Sequence, residues 1–182
     1  MSAIQLLGIC GSLRKASTNL GLLRAAASSL PEGVQMQIAD LSEIPFYNAD
    51  HPEKPAAVQR VLEQIGAADG FVLASPEYNY SIAPALKNIL DWASREPENR
   101  LLSGKTVAIL GAGGGMGTSR SQYHLRQVCV CLNLHVLNKP EVFVNAFTGQ
   151  FNEQGDVIDA TVQAMVAEQV EALVRLTRKL RH

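Results

Sequence analysis

The chain has 182 residues, 47% of them hydrophobic, and a formal net charge of -1. That length and apolar content fit a single domain, residues 1–182, with a substantial core, and the near-neutral charge excludes the basic footprint expected of a nucleic-acid or anionic-membrane binder. No apolar run approaches the ~18 residues needed to span a bilayer, and no signal peptide opens the chain. Small molecules are therefore the expected partners, and a cytoplasmic location is expected. Three cysteines, Cys10, Cys129 and Cys131, include no C-x-x-C pair and fit a reducing compartment. His51, His124, His135 and His182 lack ligand spacing, so no metal is expected.

In chain order, an apolar run at residues 4–10 reads as a strand, and an amphipathic stretch at 18–29 as a helix. Between them lies Gly11-Ser12-Leu13-Arg14-Lys15-Ala16-Ser17-Thr18-Asn19. A helix start with unpaired N–H groups, hydroxyl and amide side chains and a planar guanidinium makes this segment a phosphate cradle. The plain alternative is a loop in which Ser17 or Thr18 caps the helix and Arg14 is solvated.

Residues 34–39 form the next strand, with Val34, Met36 and Ile38 alternating with Gln35 and Gln37. A polar loop at 45–55 leads to a helix at 55–67 and a strand at 71–74. Pro84 opens a helix whose apolar face carries Leu86, Ile89, Leu90 and Ala93. A fourth strand is expected at 106–110, and a helix with Leu125, Val128, Cys129 and Leu132 on one face. A fifth strand follows at 134–137, with a resumption at 142–144 left open. The last helix, 158–180, carries Arg175, Arg178 and Lys179 near its negative end, with Arg181 just beyond.

This alternation is that of an α/β protein: a doubly wound, five-stranded parallel sheet with helices on both faces. Strands one, three and four are nearly continuous in apolar residues, which suits central positions, whereas the alternating second strand suits an edge. The flavodoxin-like order 2-1-3-4-5 satisfies both and places the ligand crevice at the carboxyl ends of strands one and three.

The loops leaving strands one, three and four open on that crevice. After strand three, Ser75-Pro76-Glu77-Tyr78-Asn79-Tyr80-Ser81 combines aromatic rings, an amide and a carboxylate, with a second proline at Pro84, and suits a flat heterocycle with polar edges. Isolated tyrosines in such a loop are otherwise ordinary surface caps. After strand four, Gly111-Ala112-Gly113-Gly114-Gly115-Met116-Gly117-Thr118 exposes backbone N–H groups but fails the G-x-G-x-x-G spacing, because Met116 or Thr118 occupies the last position. Gly104-Lys105-Thr106 is not a P-loop, since Asn99 stands where glycine is required, and Gly8 to Ser12 is not a nucleophile elbow.

With these loops in place, the chain resembles the NAD(P)H-dependent FMN reductase family, which includes bacterial quinone and chromate reductases. The resemblance rests on Gly11-Ser12-Leu13-Arg14 with Ser17 and Asn19, on Pro76 to Ser81 followed by Leu86-Lys87-Asn88 and Asp91-Trp92, and on the glycine loop before Arg120. It implies that Ser12, Arg14, Ser17, Thr18 and Asn19 hold the FMN phosphate and that Pro76, Glu77, Tyr78 and Asn79 line the isoalloxazine. Ala112, Gly113, Gly114 and Gly115 would close the ring pocket through their backbone. The implied activity is hydride transfer from NADH or NADPH through bound FMN to a quinone or a similar acceptor, such as chromate, an azo compound or free flavin. No catalytic side chain is implied, Glu77 being read as orienting backbone or pairing with a cation. A homodimer or homotetramer is implied as well, with Tyr80, Arg126 and Glu141 candidates for the interface. The contrasting reading is a flavodoxin-like single-electron carrier or a non-catalytic flavin-binding module, but carriers usually dock through an acidic face that this charge balance lacks.

Overall fold

In the computed structural model, which describes residues 3–50 and 53–181, the apolar runs that lack polar alternation lie side by side in the centre of one parallel sheet. The strands are β1 (Ile4–Cys10), β2 (Val34–Ile38), β3 (Gly70–Ala74), β4 (Glu77–Tyr78), β5 (Ser81–Ile82), β6 (Thr106–Gly113), β7 (His135–Val136) and β8 (Val142–Asn145). The helices are α1 (Thr18–Ser28), α2 (Ala56–Ala67), α3 (Pro84–Ser94), α4 (Ser119–Cys131) and α5 (Ala160–Leu180), with a short 3-10 turn at Pro97–Asn99. His51 and His182 lie outside the described residues.

The main sheet runs β2-β1-β3-β6-β7, with β8 also paired to β6, and every pairing is parallel. This is the flavodoxin-like order, with the alternating strand at the edge: Val34 is buried while Gln35 and Gln37 are exposed. Side chains alternate across the central strands, as the two-residue period requires. Leu7, Ile9, Phe71, Leu73, Val107 and Ile109 pack under α2, α3 and α4. Leu6, Cys10, Val72, Ala74, Ala108 and Leu110 pack under α1 and α5.

The fifth strand position is divided. β7 pairs with Thr106–Val107 and β8 with Leu110–Gly113, while residues 138–141, which include a cis Lys139–Pro140 bond, leave the ladder after the Leu137 N–H bonds the Val107 carbonyl at 2.8 Å. The gap is filled from α5, where buried Gln169 donates its amide N–H groups to the carbonyls of Ile109 and Pro140 (3.0 and 2.9 Å). A side chain thus satisfies backbone that a continuous strand would have paired. The long helix begins at Ala160 and not at 158, because Asp159 caps it, accepting from the Val162 N–H at 2.9 Å.

Of the segment expected as a polar loop at 45–55, residues 45–47 form a strap seated on α3. Asn88 accepts from the Tyr47 N–H (2.8 Å) and donates to the Pro45 carbonyl (2.8 Å), which also accepts from the Trp92 indole N–H (2.9 Å). Asn88 and Trp92, part of the family-like segment after Pro84, therefore hold the strap.

Candidate active site

Nearly continuous apolar runs bring β1, β3 and β6 together in the centre of the sheet, so the segments that follow them meet at one edge. In the first, Ser17 adopts extended backbone and caps α1, its hydroxyl accepting from the Leu20 N–H at 3.2 Å. The N–H groups of Thr18 and Asn19, at the first two helical positions, have no intrahelical carbonyl to bond. Asn19 is buried, and its amide clamps the backbone of Ala112 in both directions, donating to the carbonyl at 2.9 Å and accepting from the N–H at 3.0 Å. The side chains of Ser17 and Asn19 thus shape the cradle, leaving backbone N–H groups facing it. Arg14 and Lys15 are exposed, and among the described residues Arg14 has no ion pair.

The tyrosine loop is a hairpin. β4 and β5 pair antiparallel, Glu77 with Ile82 and Tyr78 with Ser81, around a two-residue turn at Asn79-Tyr80. Both turn residues have positive φ, 49° and 67°, as a type I′ turn requires. The sequence read this segment as a loop because tyrosine stands where glycine normally marks such a turn.

Glu77 points back from the hairpin to the start of α4. Its carboxylate accepts from the N–H groups of Arg120 and Ser121 (3.0 and 3.2 Å) and from the Arg120 guanidinium (2.8 Å). Burial works to raise its pKa, but the bonds from Arg120 and Ser121 overcome that and hold it below the usual glutamate range. Glu77 is therefore the cap of α4, whereas Thr118 at the cap position forms no capping bond and its hydroxyl accepts from Gln122 at 3.0 Å. A carboxylate so committed is a poor general base.

The glycine-rich segment is strand as far as Gly113 and turns only afterwards, with the Gly117 N–H bonded to the Gly114 carbonyl at 2.7 Å. Gly111 serves internal packing: a Cβ there would lie 2.1 Å from the Thr118 hydroxyl and 2.5 Å from the Ser75 carbonyl. Gly114 and Gly115 have open space around them.

These segments enclose a crevice of about 400 Å³. Its lining takes in Ser12, Arg14, Ser17, Thr18 and Asn19, then Pro76, Glu77 and Tyr78, then Ala112, Gly113 and Gly114. Asn79, at the hairpin tip, and Gly115 are not in the lining. A fourth wall, absent from the sequence reading, comes from residues 146–155 and contributes Phe147, Phe151, Asn152 and Glu153. This wall is locked to α1. Arg24 pairs with Asp156 at 2.5 Å, and Gly21 meets Gly155 so closely that a Cβ on Gly21 would fall 1.8 Å from the Gly155 carbonyl oxygen. Asn152 bonds the N–H groups of Gln154 and Asp156 (3.0 and 2.8 Å), which makes an Asn-x-x-Gly turn the one sequence signal that marked the wall as ordered.

Of the three interface candidates, Arg126 and Glu141 face each other at 3.8 Å within the chain, and Tyr80 lies under the Arg120 guanidinium, 3.9 Å from the ring centroid. Burial pushes the Cys129 thiol up to about 12, and Cys10 is buried as well. His124 is exposed, its ring 3.2 Å from the Ser81 hydroxyl. No helix among the described residues is long and apolar enough to cross a membrane.

The crevice suits a phosphorylated flat-ring cofactor. Uncommitted N–H groups at the start of α1 and the unpaired Arg14 offer anion binding at one end, and the hairpin with Tyr78 forms a wall at the other. The fold and this switch-point crevice define a flavodoxin-like flavoprotein. Residues 4–149 match the description of the NADPH-dependent FMN reductase family. The chain is 48% identical to an NAD(P)H-dependent FMN reductase of Pseudomonas aeruginosa, covering 98% of this chain and 97% of that one. It is 40% identical to a quinone reductase of Escherichia coli over 86% of each chain. Its fold superposes on FerB, a flavoenzyme NAD(P)H:(acceptor) oxidoreductase from Paracoccus denitrificans, with a TM-score of 0.87 and 25% identity, covering 97% of this chain and 98% of that one. The chain belongs to the NADPH-dependent FMN reductase family.

Proposed function

We propose that the protein is an FMN-dependent NAD(P)H oxidoreductase that reduces quinones or similar small acceptors, and that residues 1–182 act as one domain. The observation that carries this reading is the pairing of an uncommitted cationic cradle with a flat wall in one crevice. Bound FMN would supply the redox chemistry, accepting a hydride equivalent from NAD(P)H and passing the electrons to the acceptor.

The chain's own residues bind and orient. Arg14 and the N–H groups of Thr18 and Asn19 hold the phosphate, while Ser17 and Asn19 keep the helix start and the Ala112 backbone in register. Pro76 to Tyr78 and Ala112 to Gly114 flank the ring, with Asn79 and Gly115 shaping the turns beside it. Proximity in such a site lowers the barrier by as much as ~7 to 11 kcal/mol in favourable cases, so a rigid platform without a side-chain acid or base is sufficient.

The protein functions in the cytoplasm as a homodimer or homotetramer. Exposed Tyr80, Tyr123 and Met116, on the hairpin and around the start of α4, support assembly there. Light scattering that gives a monomer at micromolar concentration would exclude it.

The deciding experiment is an absorbance spectrum of purified protein with FMN, followed by stopped-flow mixing with NADH or NADPH. Flavin that binds and is bleached within the mixing experiment, then reoxidised by a quinone, is the expected result. Absence of flavin binding overturns the reading, and bound flavin that neither nucleotide bleaches favours the electron carrier.

A further inference from the structure

The hairpin that walls the crevice shares no ladder with the main sheet; β4 and β5 pair only with each other. Its position must be set by something other than strand pairing. Contacts that hold it come from α4, most of them from its first turn and one, between the Ser81 hydroxyl and the His124 ring, from further along the helix.

We propose that Arg120, which does not itself line the crevice, is a positioning residue for the flavin wall and acts through the Glu77 carboxylate. Both Glu77 oxygens are fixed from α4: one by the Arg120 and Ser121 N–H groups, the other by the Arg120 side chain. The remaining face of the guanidinium covers the Tyr80 ring at 3.9 Å, and another nitrogen lies 3.1 Å from the Met116 sulfur. One side chain therefore grips the hairpin at its base, through Glu77, and at its tip, through Tyr80. The tip needs holding, because a bulky residue at φ 67° is in a region that costs energy unless its surroundings impose it. A second tie, the Ser121 hydroxyl on the Pro76 carbonyl at 3.2 Å, comes from the same turn. The seat of α4 on the core does not depend on this grip, since Leu125 and Cys129 bury its inner face elsewhere along the helix.

The pair also sets the charge beside the ring. Glu77 lines the crevice and is neutralised by Arg120 and the positive end of α4. A positive charge near the ring favours the reduced, more negative flavin, and a negative charge opposes it.

This inference rests on FMN as the cofactor, and the test separates the two. In the apoprotein, hydrogen exchange of the amides at residues 77–82 should quicken in Arg120→Ala while the amides of β1 and β3 keep their protection; unchanged exchange overturns the grip whether or not flavin binds. With FMN, Arg120→Ala should weaken binding roughly tenfold, the scale of one lost charge-assisted bond. The midpoint potential should fall in Arg120→Ala, rise in Glu77→Gln and return towards wild type in the double variant. Arg120→Lys should restore the potential but not the affinity, because it keeps the charge and loses the two-point geometry. A purely structural role would move both single variants in one direction, and that result, or wild-type affinity and potential in Arg120→Ala, overturns the proposal.

Discussion

The two ends of the parallel sheet handle charge in opposite ways. At the amino ends of the strands Asp69 and Lys105 are committed: Asp69 accepts from the Gln5 N–H and from two nitrogens of Arg181, and Lys105 donates to the Ile65 and Gly66 carbonyls at the end of α2. At the carboxyl ends Arg14 has no ion pair among the described residues, the first N–H groups of α1 lack intrahelical partners, and a tyrosine is held at positive φ. The first end closes the fold; the second keeps binding capacity in reserve and stores local strain. Stability and ligand affinity should therefore be separable by substitution.

Arg14→Ala is the largest break in that separation. It should cost about 1.5 to 3 kcal/mol of FMN affinity, the worth of a charge-assisted hydrogen bond, with the melting temperature of the apoprotein unchanged. Titration calorimetry showing wild-type affinity would remove Arg14 from the phosphate site. The converse is Lys105→Met, which deletes two hydrogen bonds to the end of α2 from an ammonium whose pKa burial has already lowered. It should cost about 1 to 2 kcal/mol in urea unfolding and leave FMN affinity untouched. A loss of affinity there would mean that the two ends are coupled.

The smallest effect is the acid response. The pKa of Glu77 is lowered against the opposing effect of its burial, and that of Glu96 is lowered chiefly by its bond to Lys54. A carboxylate with a depressed folded-state pKa contributes stability that is fully present above the unfolded value, about 4.3, and is lost as pH falls through the folded value. Apoprotein stability should accordingly be flat from neutrality down to about pH 5 and then decline. The decline should be shallower in Glu77→Gln, and an identical slope in that variant would show that Glu77 contributes nothing to it.

Hydrophobic patterning made the sheet order readable, because only β2 alternates and only an edge strand can leave one face polar. The divided fifth position was readable in part, as a strand at 134–137 with a resumption at 142–144 left open, but nothing in residues 134–145 announces that Gln169, far along the chain, supplies the missing bonds. The same limit applies at the site. Loop chemistry marked Arg14 and Glu77, but the 146–155 wall offered only the Asn152-x-x-Gly155 turn as a signal and is placed by the Gly21–Gly155 contact and the Arg24–Asp156 ion pair. The hairpin was hidden because Asn79-Tyr80 lacks the usual glycine, and it persists because Arg120 lies on the Tyr80 ring.

Trp92 gives the molecule a built-in optical reporter. It is the sole tryptophan in the sequence, it is buried, its indole N–H bonds the Pro45 carbonyl, and the Tyr47 ring meets it edge-on at 5.1 Å. Its emission will therefore follow the seating of the strap on α3, so that a red shift during a titration signals the strap lifting while the core of the sheet remains closed.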